Sequence, residues 1–406
     1  MDPTKNPFAP GAGTQPPELA GREKIIEDAR IALARVKAGR PARSQILLGL
    51  RGVGKTVLLN RIQKLASDQG FETISLEAPE DDRLVDMLVP PLRSLLVRIS
   101  RIERARAFAS RALAALRAFA TAFKVKVGDI EFGVEAAKGT ADSGQLDFDL
   151  PEVLVAVAET ARHAGTPIAI LIDEVQYLVR EDLSALIVSM HRSDQKGLPL
   201  VLFAAGLPQI AGLAGKAKSY AERLFEYSTL SRLDERAARD AIRVPIVKER
   251  ARIDDAALDD IIKETQGYPY FLQEWGAKAW NVAPTSPITL RDAKRATTQA
   301  LAQLDQGFFR VRLDRLTPRE REYVRAMADL GPGPHRSGDI AKLLGVKVTS
   351  AGPLRNNLIS KGMIYSQQYG ETAFTVPMFD AFMKRTMPDW KPQRQQSVSR
   401  RTKRPR

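Results

Sequence analysis

Apolar positions change their period several times along this 406-residue chain, and each change marks an element. A helix is predicted over 23–37, with Pro41 interrupting the chain after it. Apolar runs at 46–48, 167–172 and 198–205 are continuous, as expected of strands buried on both faces of a parallel sheet. The segment 71–76 alternates instead, like a half-buried strand. Helical patterns fill 57–65, 82–123, 151–163 and 183–191. In the second of these, Phe108, Ala112, Leu116, Phe119 and Phe123 are spaced for one face. Residues 124–127 and 130–134 flank Gly128-Asp129 and predict a projecting hairpin, part of an insertion at about 100–147. Small and polar residues make 138–147 a loop. Strands alternating with helices imply a parallel sheet covered on both sides.

From about Leu233 the pattern is helical only. A third pattern begins at Thr317-Pro318-Arg319-Glu320, which carries Thr, Pro and Glu where a capped helix start wants them. That helix ends before Gly331-Pro332-Gly333-Pro334; two more are predicted over 337–345 and 349–361, then a hairpin of 363–366 and 372–376 around Gly370. Three helices and a hairpin look like a winged helix, whose third helix would enter the major groove of double-stranded DNA. Its candidates are Thr349, Ser350, Arg355, Asn356, Asn357 and Lys361, since Arg can fork to guanine and Asn to adenine. Winged helices also serve as protein-docking modules, so both uses stay open.

The length calls for two or three domains, and 44% hydrophobic residues make the chain globular rather than disordered. Cysteine is absent, which excludes a disulfide framework, thiolate zinc sites and cysteine nucleophiles, and fits a reducing, cytoplasmic compartment. His163, His191 and His335 are too scattered for a metal cluster and are expected at the surface or in loops. No apolar run approaches the ~20 residues that cross a bilayer, so no membrane contact is expected. Residues 1–17 are rich in Pro, Gly and Ala and read as a flexible arm. Net charge is +14, and the tail over 391–406 holds seven basic residues and no acid. Such a tail either neutralises nucleic-acid phosphates without sequence preference or is a solvated, disordered end.

The chemistry concentrates at Gly49-Leu50-Arg51-Gly52-Val53-Gly54-Lys55-Thr56, which fits the GxxxxGK[ST] phosphate loop between a strand and a helix. Glycines let backbone N–H groups turn inward around phosphate oxygens, and the following helix adds the positive end of its dipole. Gly49, Arg51, Gly52, Val53, Gly54, Lys55, Thr56 and Val57 form the expected cradle, with Lys55 on the β- and γ-phosphates and the Thr56 hydroxyl on Mg²⁺. The apolar run 168–172 ends in Asp173-Glu174. Asp173 can hold Mg²⁺, and Glu174 can polarise the water that attacks the γ-phosphate of ATP.

With these residues the chain resembles the AAA+ ATPases, most closely the Orc1/Cdc6-like initiator group and the archaeal-type ATPases built on the same plan. Further carriers of the resemblance are Pro17-Glu18-Leu19-Ala20-Gly21-Arg22-Glu23, Gly206-Leu207-Pro208 and Gly267-Tyr268-Pro269-Tyr270. It implies an α/β P-loop fold: a five-stranded parallel sheet over 18–231, a helical lid over 232–305, and a winged-helix domain over 306–390. It implies ATP or ADP with Mg²⁺ as ligands, adenine near Leu19, Gly21 and Arg22, and Pro269 beside the nucleotide. Subunits of this group complete one another's sites with an arginine, for which Arg223 is the candidate, so a homo-oligomer is implied when ATP is bound. Members usually place a polar sensor after the fourth strand, where this chain has Ala204-Ala205-Gly206 and, further on, Gln209. The lid start likewise lacks the usual sensor arginine. Both departures suggest slow hydrolysis by a nucleotide-gated switch. The alternatives are a STAND-type signalling ATPase whose winged helix contacts protein, and an adaptor that binds ATP without hydrolysing it.

Overall fold

The structure is a computed structural model that describes residues 1–11, 13–78, 83–125, 132–366 and 370–392. The expected hairpin around Gly128-Asp129 and all of the basic tail beyond residue 392 lie outside the described residues. The chain divides into two compact units, Met1–Ala293 and Lys294–Arg406.

The first unit is built on five parallel strands: β1 (Ser44–Gly49), β2 (Glu72–Glu77), β3 (Ile168–Asp173), β4 (Leu200–Gly206) and β5 (Phe225–Leu230), in the order β2-β3-β4-β1-β5. The three inner strands are buried throughout, which is why their sequences run apolar without alternation. Edge strand β5 exposes Glu226 and Thr229. Leu48 lies opposite both Gly206 and Thr229, and Ile172 opposite both Ala204 and Leu76. That register brings the carboxyl ends of all five strands to one edge of the sheet, the position where ligands bind in open α/β folds.

Helices α1 (Glu23–Lys37), α2 (Lys55–Asp68), α3 (Leu84–Ile99), α4 (Glu103–Ala122), α5 (Leu146–Ala164), α6 (Arg180–Gln195), α7 (Ile210–Ala217) and α8 (Ala221–Leu224) accompany the sheet. The helical stretch expected over 82–123 is two helices, α3 and α4, separated at residues 100–102. Ala112, Leu116 and Phe119 of α4 are buried in one core with the sheet, against α5. Phe108 leaves that face and stacks on His163 at 3.5 Å. His163 and His191 therefore sit half-buried on helices rather than in loops, the second against Tyr220 at 4.6 Å. A lid follows: α9 (Glu235–Lys248), α10 (Asp255–Thr265), α11 (Pro269–Val282) and the start of α12 (Leu290–Leu304).

The N-terminal segment corrects the flexible-arm expectation. Phe8 is buried against Gly276 of α11, where a Cβ would fall 2.6 Å from the phenyl ring. Asn6 Nδ2 donates to Ala277 O at 3.0 Å, and Trp280 Nε1 to Asp2 O at 2.8 Å. Phe8 is the one buried residue among positions 1–11, so average composition conceals the anchor. Gly13 lies over α2, 3.3 Å from Thr56 Cγ2 as measured from the position its Cβ would take.

The second unit holds α13 (Arg310–Asp314), α14 (Pro318–Asp329), β6 (His335–Arg336), α15 (Ser337–Leu343), α16 (Val348–Ser360), β7 (Ile364–Tyr365), β8 (Glu371–Phe374) and α17 (Phe379–Thr386). The strands form an antiparallel sheet, β6-β8-β7. Three helices on a small sheet give a winged-helix-like arrangement, with a third strand, β6, too short to register as sequence periodicity. Phe309, Phe379 and Phe382 form its aromatic core, Phe309 stacked on Phe382 at 5.2 Å.

The capping box at Thr317 and Glu320 is present, and its carboxylate does more than cap. Glu320 is buried and accepts Lys361 Nζ at 2.7 Å. Burial opposes its charge, but hydrogen bonds from Lys361 and Thr317 more than offset this and hold its carboxyl below the ordinary value. Lys361→Met is expected to cost the second unit about 2 kcal/mol, less than a fully buried pair because the lysine keeps 31% exposure. A carboxyl held low in the folded state contributes above its unfolded value and loses that contribution as pH falls through its folded value. The gap between wild type and Lys361→Met in thermal unfolding should therefore close on acidification; a gap independent of pH would refute the pairing.

Candidate nucleotide site

β1 delivers Gly49 to the ligand edge of the sheet, and α2 starts at Lys55. The turn between them requires Gly52 at φ 83° and Gly54 at φ 93°, left-handed values that a side chain would strain. The space where a Cβ of Gly54 would stand is open within 4 Å. Lys55 is buried and folds back so that Nζ donates to Gly49 O at 3.1 Å and Leu50 O at 3.0 Å. Val57 follows on the first turn of α2.

β3 delivers Asp173 and Glu174 to the same edge. Thr56 Oγ1 donates to Asp173 Oδ2 at 2.5 Å across 117 positions of sequence. Burial pushes the Asp173 carboxyl above its ordinary value, against hydrogen bonds from Thr56 and the Glu174 N–H. Burial pushes the Lys55 ammonium below its ordinary value, against the attraction of Glu174 and Asp173. The two motifs thus share one electrostatic environment. Hard oxygen donors from one hydroxyl and one carboxylate suit Mg²⁺, which takes few protein ligands and completes its shell with phosphates and water. Among the described residues there is no cluster of three or more His, Cys, Asp or Glu that would suit another metal.

The entry segment and lid close around the loop. Arg22 Nη2 donates to Ser231 O at 2.6 Å and Val53 O at 3.3 Å, tying the loop to the end of β5. Gly21, at φ 70°, passes so close to α9 that a Cβ would stand 2.9 Å from Ala237 Cβ; Leu19 is half-buried beside it in sequence. Pro269 is the first residue of α11, and its neighbours make the contacts. Tyr268 OH donates to Arg51 O, and Tyr270 N–H donates to Gly52 O at 3.2 Å. Arg51 in turn donates to Tyr177 OH. Sequence reasoning picks out Pro269 and passes over Tyr268, Tyr270 and Tyr177; the only local signal is that tyrosines flank the proline.

Arg223 is exposed on α8, and its side chain makes no hydrogen bond or ion pair among the described residues. It stands just before β5, at the end of the sheet remote from the loop, since Phe225 pairs with Ser44 and Leu230 with Gly49. About six residues of strand, roughly 20 Å, separate the two ends. In the second unit, Ser350, Asn356 and Asn357 are exposed on α16. Arg355 instead donates to Ser366 Oγ at 2.9 Å, and Lys361 is committed to Glu320.

Residues 18–203 match the family model of the AAA ATPase domain, and residues 306–383 match that of a domain of unknown function (DUF8462). None of the curated proteins matches the chain. A Walker-type ATPase of Pyrococcus abyssi shares the fold, at 17% identity and a TM-score of 0.57, covering 91% of this chain and 97% of that one. Two further solved structures are similar at lower TM-scores. The Thermotoga maritima RuvB Holliday junction branch migration motor gives 0.45 at 14% identity, over 89% of this chain and 96% of that one. The Aeropyrum pernix Orc1 protein in complex with DNA gives 0.47 at 15% identity, over 91% and 94%. With its glycine turn, its acid-tipped third strand and its parallel sheet in place, the chain carries over residues 18–203 an AAA+ P-loop ATPase domain.

Proposed function

We propose that this protein binds ATP with Mg²⁺ and hydrolyses it slowly, as a nucleotide-gated switch that contacts double-stranded DNA through its winged helix and basic tail. The observation that carries the nucleotide half is the Thr56–Asp173 hydrogen bond, which joins the phosphate loop to the acidic strand tip. In this reading Lys55 leaves its loop carbonyls for the phosphates, and Thr56 and Asp173 hold Mg²⁺. Held there, the metal would supply positive charge against that developing on the phosphates. Glu174 orients the attacking water, and Leu19, Gly21, Arg22 and Pro269 border the base. Slow turnover follows from a fourth strand that ends without a polar side chain and a lid start without an arginine. Phosphate release below about one per second per subunit is expected, under the usual enzyme range; tens per second would contradict the switch.

Arg223, remote from its own loop, fits a role in a neighbouring subunit's site, so the specific rate should rise with protein concentration. For DNA, the tail and the exposed Ser350, Asn356 and Asn357 are the working parts, while Arg355 and Lys361 serve the unit's interior. That internal use also favours a second reading, in which the winged helix docks on protein. Salt titration of duplex binding decides between them. On deletion of residues 391–406 the slope of log affinity against log salt should shrink by roughly 0.9 for each phosphate the tail had neutralised, yet persist. Loss of all binding on that deletion would leave the winged helix without a part in DNA contact.

A further inference from the structure

One polar side chain that the nucleotide reading does not use joins the acidic strand tip to the neighbouring strand. Gln176 lies in the 3-10 turn Val175–Tyr177 that directly follows Glu174. Glu174 itself has φ 53°, a left-handed value that a glutamate adopts only where its surroundings enforce it. Gln176 Nε2 donates to Glu174 Oε2. Gln176 Oε1 accepts the Leu207 N–H at 3.1 Å, just beyond the last residue of β4. The two bonds fix the amide, because a flip would set NH₂ against N–H and carbonyl against carboxylate. Gly206 makes room for it: a Cβ there would stand 3.0 Å from Gln176 Oε1 and 2.8 Å from Val175 Cγ2. The end of β4, which has no polar side chain of its own, thus has one supplied from the adjacent turn.

We propose that Gln176 is the positioning residue for the water-orienting carboxylate, and that it couples the end of β4 to Glu174. The inference rests on the reading of Glu174 given above. With Oε2 held by the amide, Glu174 Oε1 remains to accept a hydrogen bond from the attacking water. Any shift of β4 at Leu207 would be passed through the amide to that carboxylate.

The test uses the full chain and four variants: Q176M, Q176E, E174Q and E174Q/Q176M. Glutamate at 176 keeps an acceptor for Leu207 but replaces the donor to Glu174 by a like charge. A role confined to holding β4 predicts that the loss in Q176M adds in full to that of E174Q, whereas positioning predicts that Q176E and Q176M both fail and that the double variant adds little. At saturating ATP both should lose about 10²-fold in turnover, the cost of a reacting group misplaced by about an ångström. Binding of a fluorescent ATP analogue and KM should stay within about threefold, as expected when an interaction matters mainly in the transition state. The double variant should be no more than about twofold slower than E174Q, because the pair acts as one unit. Normal turnover in Q176E, or a fully additive loss in the double variant, overturns the inference while E174Q still reports on Glu174. Normal turnover in E174Q overturns the Glu174 reading and this inference with it. Should Q176M not fold, Q176E carries the comparison.

Discussion

Glu174→Gln is expected to retain ATP while losing its hydrolysis. The substitution keeps the size of the side chain and the acceptor that Gln176 uses, and replaces the other carboxylate oxygen by an NH₂ donor, so the negative charge and the acceptor for water are lost together. Thr56, Asp173 and Lys55 keep their places, so the loop still meets the phosphates. Turnover should fall about 10²- to 10⁴-fold, the usual contribution of a positioned general base, with affinity changed by no more than about threefold. Single-turnover phosphate release beside equilibrium binding separates the two quantities. A variant that hydrolyses ATP at the wild-type rate would remove Glu174 from the mechanism.

Lys55→Ala should fail one step earlier. The ammonium is buried at the root of the loop, poised between two backbone carbonyls and facing Glu174 and Asp173. Charge-assisted hydrogen bonds to phosphate are worth about 1.5–3 kcal/mol, so ATP affinity should drop roughly 10- to 100-fold, and ADP affinity with it. Isothermal titration with and without Mg²⁺ reads this directly. Unchanged affinity for both nucleotides would mean that the loop does not grip phosphate as drawn. Together the two variants divide binding from chemistry, which the adaptor reading cannot reproduce, since that reading has no chemistry to lose.

Legibility in the sequence follows the range of each contact. The phosphate loop and the strand ending Asp173-Glu174 are local patterns, and the buried inner strands announce themselves by unbroken apolar runs. The five-stranded sheet comes from resemblance, because β5 alternates weakly along an edge and its Glu226 and Thr229 face solvent. The tyrosine grip on the loop joins residues 217 positions apart, so no window around either partner holds the signal. Gln176 is close to Glu174 in sequence, but only the left-handed turn between them makes the pair meet. Lys361 looks in sequence like a helix-end cation facing a ligand; its partner is a helix cap 41 residues earlier. Phe8 is hidden by its small, unpatterned neighbours.

The seating of Phe8 sets a limit on how the lid can move. The phenyl ring is lodged in α11, and five residues later Gly13 rests on the helix that begins with Lys55 and Thr56. So long as both ends keep their places, the Phe8 socket in α11 and the Gly13 contact on α2 can stand no further apart than five residues stretch, about 17 Å. Nucleotide exchange that needs a wider opening must first free one end of this strap, by drawing Phe8 from its socket or by lifting Gly13 off α2.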